Sequence, residues 1–278
     1  MPALLLLLLA APVAAPCAPA LRPLAARWAV ERRAFDCGAG VLALTDEIPP
    51  STEGTLALPI AVGAVAVAYN LLVAGDLRLT PEVLAAIYQG RLARWNDPRI
   101  AAINPGVTLP DLRVVVVRED EASFALLDGW LAKLGGAGAK PLRSGDGGVS
   151  TLSRTDGAIG AVDAARARRA SLYLASLRNR DGAFLQPTMH SVTRAAVGVR
   201  LPPDLRVPIL DASGVDSYPL AHFAYAVVPA QPAQGTGLAS ALRWAIHEGQ
   251  QLVAPLGWAP LPGLLVRIVD ERIGALRD

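Results

Sequence analysis

Lysine is nearly absent from this 278-residue chain: among 26 basic residues, only Lys133 and Lys140 are not arginine. That imbalance reflects coding preference and carries no functional weight. Histidine is also scarce, and His190, His222 and His247 stand far apart with no Cys/His cluster beside them. Without ligand spacing, no metal site is expected, and nothing else in the composition asks for a cofactor. The formal charge of +2 supplies no concentrated basic face, so nucleic acid is excluded as a partner. With 18% charged and 53% hydrophobic residues, the chain has enough apolar surface to offset its ordering entropy. Disorder is therefore excluded. No apolar run reaches the roughly 20 residues needed to cross a bilayer, and no internal repeat is visible. What remains is a packed chain long enough for two lobes or one large domain.

The leucine run at residues 4–9 leads into small residues and proline, ending Cys17-Ala18-Pro19-Ala20. This pattern reads as a signal peptide over residues 1–20 and places the protein in the periplasm or otherwise outside the cytoplasm. No Lys or Arg precedes the leucines. Lipid attachment at Cys17 is not expected, because Pro16 occupies a position where processing needs a small, flexible residue. Cys17 and Cys37 are permitted to pair in an oxidising compartment, but cleavage after Ala20 removes one of them. The reading adopted is a lone, buried Cys37 that packs as a small hydrophobe.

Residues 21–33 place Leu24, Ala25, Trp28 and Ala29 on one side of a helix and arginines on the other. A short apolar strand at 35–44 and a proline-rich break at 48–54 come next. Residues 56–69 are rich enough in Ala, Val and Ile for buried strands. Thr80-Pro81 opens a helix as cap and first residue, and Gly90 closes it. The valines at 114–117 predict a buried strand, followed by a helix over 123–134 and a glycine-rich stretch over 135–148. A strand at 158–162, a helix at 163–170, further sheet at 173–177, an Asn179–Gly182 turn, a strand at 223–228 and a helix at 236–247 complete the pattern. Strands alternating with helices predict an α/β fold with a mostly parallel sheet.

Trp95-Asn96-Asp97, Ile100, Asn104-Pro105-Gly106 and Leu109-Pro110 occur in register with Thr155-Asp-Gly-Ala-Ile-Gly160, residues 174–182, Tyr218-Pro-Leu220 and Leu242-Arg-Trp244. From about Phe35 to the C-terminus this resembles the periplasmic phosphate-binding proteins of ABC phosphate importers. The resemblance implies a type II periplasmic binding protein of two α/β lobes, with a hinge and an interlobe cleft. Lobe one would take residues 21–68 and 219–278, lobe two residues 69–218, with crossings near Ala68 to Asn70 and Tyr218 to Phe223. Independently of that likeness, open α/β sheets bind ligands beyond the carboxyl ends of their strands.

Such proteins hold phosphate with helix N-termini, hydroxyls, an arginine and an acidic acceptor. By this likeness the ligand-binding residues are Arg118, Asp120 and Ser123, although the Ser-Gly-Thr turn of the pattern is shortened here. The acidic acceptor falls within residues 36–41, where Val41 stands in its place. A strand-helix unit between the first helix and Phe35 is missing altogether. Each candidate has a purely structural role to weigh against this. Arg118 can pair with Glu119 or Glu121, Ser123 can cap a helix, and the acids 119–121 can themselves occupy the positive helix end. Trp95 reads as packing. The resulting expectation is a binding protein for phosphate or a related oxyanion, with that ligand weakened or lost. ABC importer membrane subunits or another envelope protein are the expected partners. The competing reading is a non-transport scaffold or interaction module on the same fold. No nucleophile, base and orienting group recur together, so no enzyme is expected.

Overall fold

The structure, a computed structural model, describes residues 17–37, 42–118, 121–134, 148–232 and 237–276. Helix α1 (Arg22–Glu31) buries Leu24, Ala25 and Trp28, the face its sequence pattern predicts. Strands β1 (Ala43–Thr45) and β2 (Thr55–Tyr69) follow. Almost all of β2 is buried, and its alanines and valines allow layers to pack on both of its faces.

Next come β3 (Arg78–Leu79), α2 (Pro81–Tyr88), α3 (Pro98–Ala101) and β4 (Val115–Val116). Thr80 caps α2 as its sequence implies, its hydroxyl accepting from the Val83 N–H at 3.3 Å. Helices α4 (Glu121–Lys133) and α5 (Gly148–Arg154) lead to β5 (Ala158–Asp163) and α6 (Ala164–Arg169). The remainder is β6 (Tyr173–Leu174), β7 (Ser176–Arg178), β8 (Phe184–Leu185), α7 (Met189–Ala196), β9 (Ala221–Pro229), α8 (Leu238–Ile246) and α9 (Gly263–Gly274).

The main sheet runs β1-β9-β2-β5-β4. Over its first part β2 pairs antiparallel with β9, from Thr55↔Pro229 to Ala64↔Ala221, with an irregularity at Pro59/Ala61. Proline cannot donate to a ladder, so the register slips there. From Val65 onward β2 pairs instead with β5, Val65↔Asp163 to Tyr69↔Ile159, while β6 joins it at Ala68 and Tyr69. One strand therefore belongs to two sheet halves. Its partner changes between Ala64 and Val65, beside a Val65 N–H that donates to Leu220 O at 2.9 Å and a Val65 carbonyl that accepts from Tyr218 Oη at 3.0 Å. Strands β3, β7 and β8 form a separate small sheet.

Several expectations need correction. The sheet is mostly antiparallel: among the described strands only β4 with β5 and β3 with β7 are parallel. Alternation of strands and helices implies parallel neighbours only when each helix is a crossover between them, whereas here β9 and β5 both return against β2. Residues 56–69 form one continuous strand. Gly63 does not break it but admits neighbours, since a Cβ there would lie 2.4 Å from the Trp258 ring. Cys37 is not alone, because Cys17 and Cys37 form a disulfide. Cys17, Ala20 and Leu21 are buried, and the Ala18 N–H donates to Leu44 O at 2.8 Å. Ser123 lies inside α4 and is not its cap. Helix α7 was not expected from the sequence; a reciprocal Thr188/Ser191 cap starts it. Residues 1–16 of the expected leader, the 38–41 part of the acceptor run, Asp120, most of the 135–148 stretch and Thr236 lie outside the described residues.

Candidate functional site

Two cavities merit comparison as ligand sites. The larger, about 810 Å³, opens between α6, Tyr69, Tyr173, Gln186 and the 254–257 segment. Its charged groups are already engaged within the protein. Asp76 accepts from Ser176 Oγ at 2.8 and 2.7 Å and from Gln186 Nε2 at 3.1 Å. Arg168 donates to Gly257 O at 2.8 Å and also to Pro187 O, and Arg169 donates to Leu256 O at 3.2 Å. Groups that bond one another so fully leave little to orient a ligand.

The smaller cavity, about 380 Å³, lies where segments distant in sequence converge. Ala18, Pro19 and Ala20 lead into α1; Thr45, Asp46 and Glu47 leave β1; Glu121 and Ala122 open α4; Asp163 and Arg166 open α6. Helix starts and strand ends face a common space, the arrangement an open α/β sheet offers a ligand. The side chains reverse the expected charge. Asp46, Glu47, Glu121 and Asp163 all line the space, with Arg166 as the basic residue among the described lining.

Asp163 is the most buried of these acids, at 4% exposed. Its Oδ1 accepts from the Arg166 N–H at 2.8 Å and so caps α6. Burial pushes its carboxyl above the ordinary range, and Asp46 adds to that; the Arg166 N–H and His222 oppose it. His222 is itself buried on β9, edge-on to Trp258 at 5.7 Å.

Of the site residues anticipated from sequence, Arg118 and Ser123 flank the wall in sequence but do not form it. Arg118 follows β4, held there as the Val117 N–H donates to Ile159 O at 2.8 Å. Its guanidinium is bound by the Glu121 carboxylate and lies 4.4 Å over the Phe124 ring. Arg118 Nε is buried without a partner among the described residues. Thus one of the two ion pairs open to Arg118, the one with Glu121, is made. Ser123 is buried in the first turn of α4. Trp95 is a packing residue, fully buried, with Nε1 donating to Gly157 O at 2.9 Å.

Asp46, Glu47, Asp163 and Arg166 escaped the sequence reading. For Asp163 a signal existed: an acid between a buried strand and a helix is a natural N-cap. For the Thr45-Asp46-Glu47 step nothing local distinguishes lining residues from a solvated turn.

Unit charges about 4 Å apart interact by roughly 4 kcal/mol at an effective dielectric of 20. A helix N-terminus contributes about 0.3–1 kcal/mol to an anion. Carboxylates and helix starts therefore act in opposite directions on an anion in this cavity.

The PBP superfamily domain pattern matches residues 44–245. The phosphate-binding protein PstS of Xylella fastidiosa (strain Temecula1) is 28% identical over 238 residues, covering 76% of this chain and 65% of that protein. PstS of Pasteurella multocida is 27% identical over 240 residues, covering 78% and 70%. Among solved structures, a phosphate-binding protein from Stenotrophomonas maltophilia superposes with a TM-score of 0.60 at 13% identity, covering 89% of this chain and 83% of that one. A high-affinity periplasmic phosphate-binding protein bound with phosphate superposes with a TM-score of 0.59 at 18% identity, covering 89% and 84%. The chain spans 65% of the length of the Xylella relative.

Proposed function

The chain belongs to the PBP superfamily and has the type II periplasmic binding-protein fold, and we propose on that premise that it is an exported solute-binding protein whose phosphate site is degraded. Phosphate or a related oxyanion is its inherited ligand class, and the membrane subunits of an ABC importer are its inherited partners. Its two lobes are residues 21–68 with 219–278 and residues 69–218. No enzymatic step is proposed.

The observation that carries this reading is the wall of the 380 Å³ cavity, where Asp46, Glu47, Glu121 and Asp163 converge and Arg118 is tied to Glu121. A dehydrated dianion needs donors in place of water, and an incomplete exchange costs several kcal/mol per poorly compensated charge. Calorimetry with inorganic phosphate tests it. Saturable heat is expected to be absent, or to appear only at millimolar phosphate. Submicromolar binding overturns the proposal. Asp46→Asn with Glu121→Gln lowers the repulsion and frees Arg118, and phosphate affinity should then rise at least about tenfold, since about 1.4 kcal/mol suffices for that.

A specific contact favours the second reading, a scaffold or interaction module. Arg168 and Arg169 of lobe two donate to the Gly257 and Leu256 carbonyls of lobe one. Such bonds oppose the opening and closing that a transport cycle uses. A pull-down from envelope extract that retains one specific partner, together with calorimetry silent for phosphate, would select this reading over transport.

A further inference from the structure

We propose that the mature chain retains Cys17, and that oxidation of the Cys17–Cys37 pair completes the N-terminal wall of the acidic cavity. The proposal rests on the exported location argued above, which supplies an oxidising compartment.

Residues 17–20 match the small-residue end of a leader, yet they are part of the folded body. Cys17 is 1% exposed and Ala20 is 6% exposed. The Ala18 N–H bonds Leu44 O, and the Leu21 N–H bonds Ala18 O at 2.9 Å, so this segment starts α1 and ties it to β1. Ala18, Pro19 and Ala20 also form one wall of the 380 Å³ cavity, facing Thr45, Asp46 and Glu47. Cleavage after Ala20 would leave α1 without its lead-in and open the cavity on that side.

Among the described residues this segment has few polar ties, and a chain terminus so held frays unless something else fixes it. The remaining ties are weak; the Arg22 Nε contact to Cys17 O is 3.4 Å long. By resemblance, the strand-helix unit that would stand between α1 and Phe35 is missing, and a single turn at Arg33–Phe35 leads straight to Cys37. The disulfide spans 20 residues and fastens the lead-in of α1 to this connector. In forming it, two thiols lose two protons and two electrons to a disulfide-bearing oxidant, which leaves as a dithiol.

Intact mass and alkylation of protein purified from the envelope test the first half. The expected mature mass includes Cys17, with no alkylated thiol before reduction and two after it. A mature N-terminus at or beyond Ala18, or two reactive thiols in the native protein, overturns it. Hydrogen exchange tests the second half. In Cys17→Ser/Cys37→Ser, amide protection at Ala18 and Leu21 should fall at least about tenfold, while α9 stays protected. Unchanged protection at Ala18 and Leu21 overturns the role given to the bond. If the variant fails to fold, mild reduction of the folded wild-type protein gives the same readout. None of these measurements uses phosphate, so they are separate from the calorimetric test of function.

Discussion

At Asp163 two requirements compete. The carboxylate caps α6 through the Arg166 N–H, and the same side chain is buried against β5 and within reach of Asp46. Burial raises its pKa, so the folded state holds the proton to higher pH than the unfolded chain does. The group's contribution to stability is then full below the unfolded pKa, ordinarily about 3.9 for aspartate, and is lost as pH rises through the folded value. Asp163→Asn keeps an equivalent cap and removes the charge. We expect it to be neutral or stabilising at pH 7, and to flatten the fall in stability above about pH 4 when denaturation is followed against pH. Asp163→Ala removes the cap as well and should cost about 1 kcal/mol relative to Asp163→Asn. The Asn variant unfolding more easily than wild type at pH 7 would show that the ionised carboxylate has a partner worth more than its burial costs. Arg118 teaches a related lesson. Its position at a strand end was legible in the sequence, but the acid three residues on claims its guanidinium.

Among the elements, β5 is held on both edges, pairing with β2 on one and β4 on the other. Gly160 lies at its centre opposite Ala68, and a Cβ there would lie 2.7 Å from both Val117 O and Leu152 Cδ1. Backbone cannot give way as a flexible side chain can. Gly160→Ala should therefore cost about 1–3 kcal/mol as an overpacking change, read as a lower denaturant midpoint. Gly263, the first residue of α9, has no neighbour within 4 Å of a built Cβ. Gly263→Ala should instead stabilise by about 0.4–1 kcal/mol, through the entropy of the unfolded chain. The opposite signs come from packing alone, and the sequence shows only two glycines. Helices α1 and α2 were legible because α1 carries its buried face, and α2 its boundary signals, within a few residues. The pairing of β2 with β9, β5 and β6 was not, because register depends on residues 90 or more positions away.

At the scale of the whole molecule, the junction of the two halves carries its own restraints. Arg168 joins Pro187 O to Gly257 O, and Gly257 sits at φ +89° with Ala165 so near that a Cβ would come within 2.6 Å. Arg168→Ala should remove about 1 kcal/mol per lost hydrogen bond and speed amide exchange in residues 254–257 while leaving α9 unchanged. Equal exchange in both proteins would mean that backbone packing alone holds the junction. The disulfide acts at the opposite end of the chain, where closing a loop of this size contributes about 3 kcal/mol in the chain-entropy account. By itself the sequence determined the α/β class, the family, the buried face of α1, the α2 boundaries, the strand ahead of Arg118 and the packing role of Trp95. Those features are written in local periodicity, caps and contiguous motifs. Tertiary structure alone decided the antiparallel sheet, the Cys17–Cys37 pairing and the gathering of Asp46, Glu47, Glu121 and Asp163 around one cavity. Each of these depends on which distant segments β2 brings together, and electrostatic repulsion acts through space, where sequence separation has no bearing.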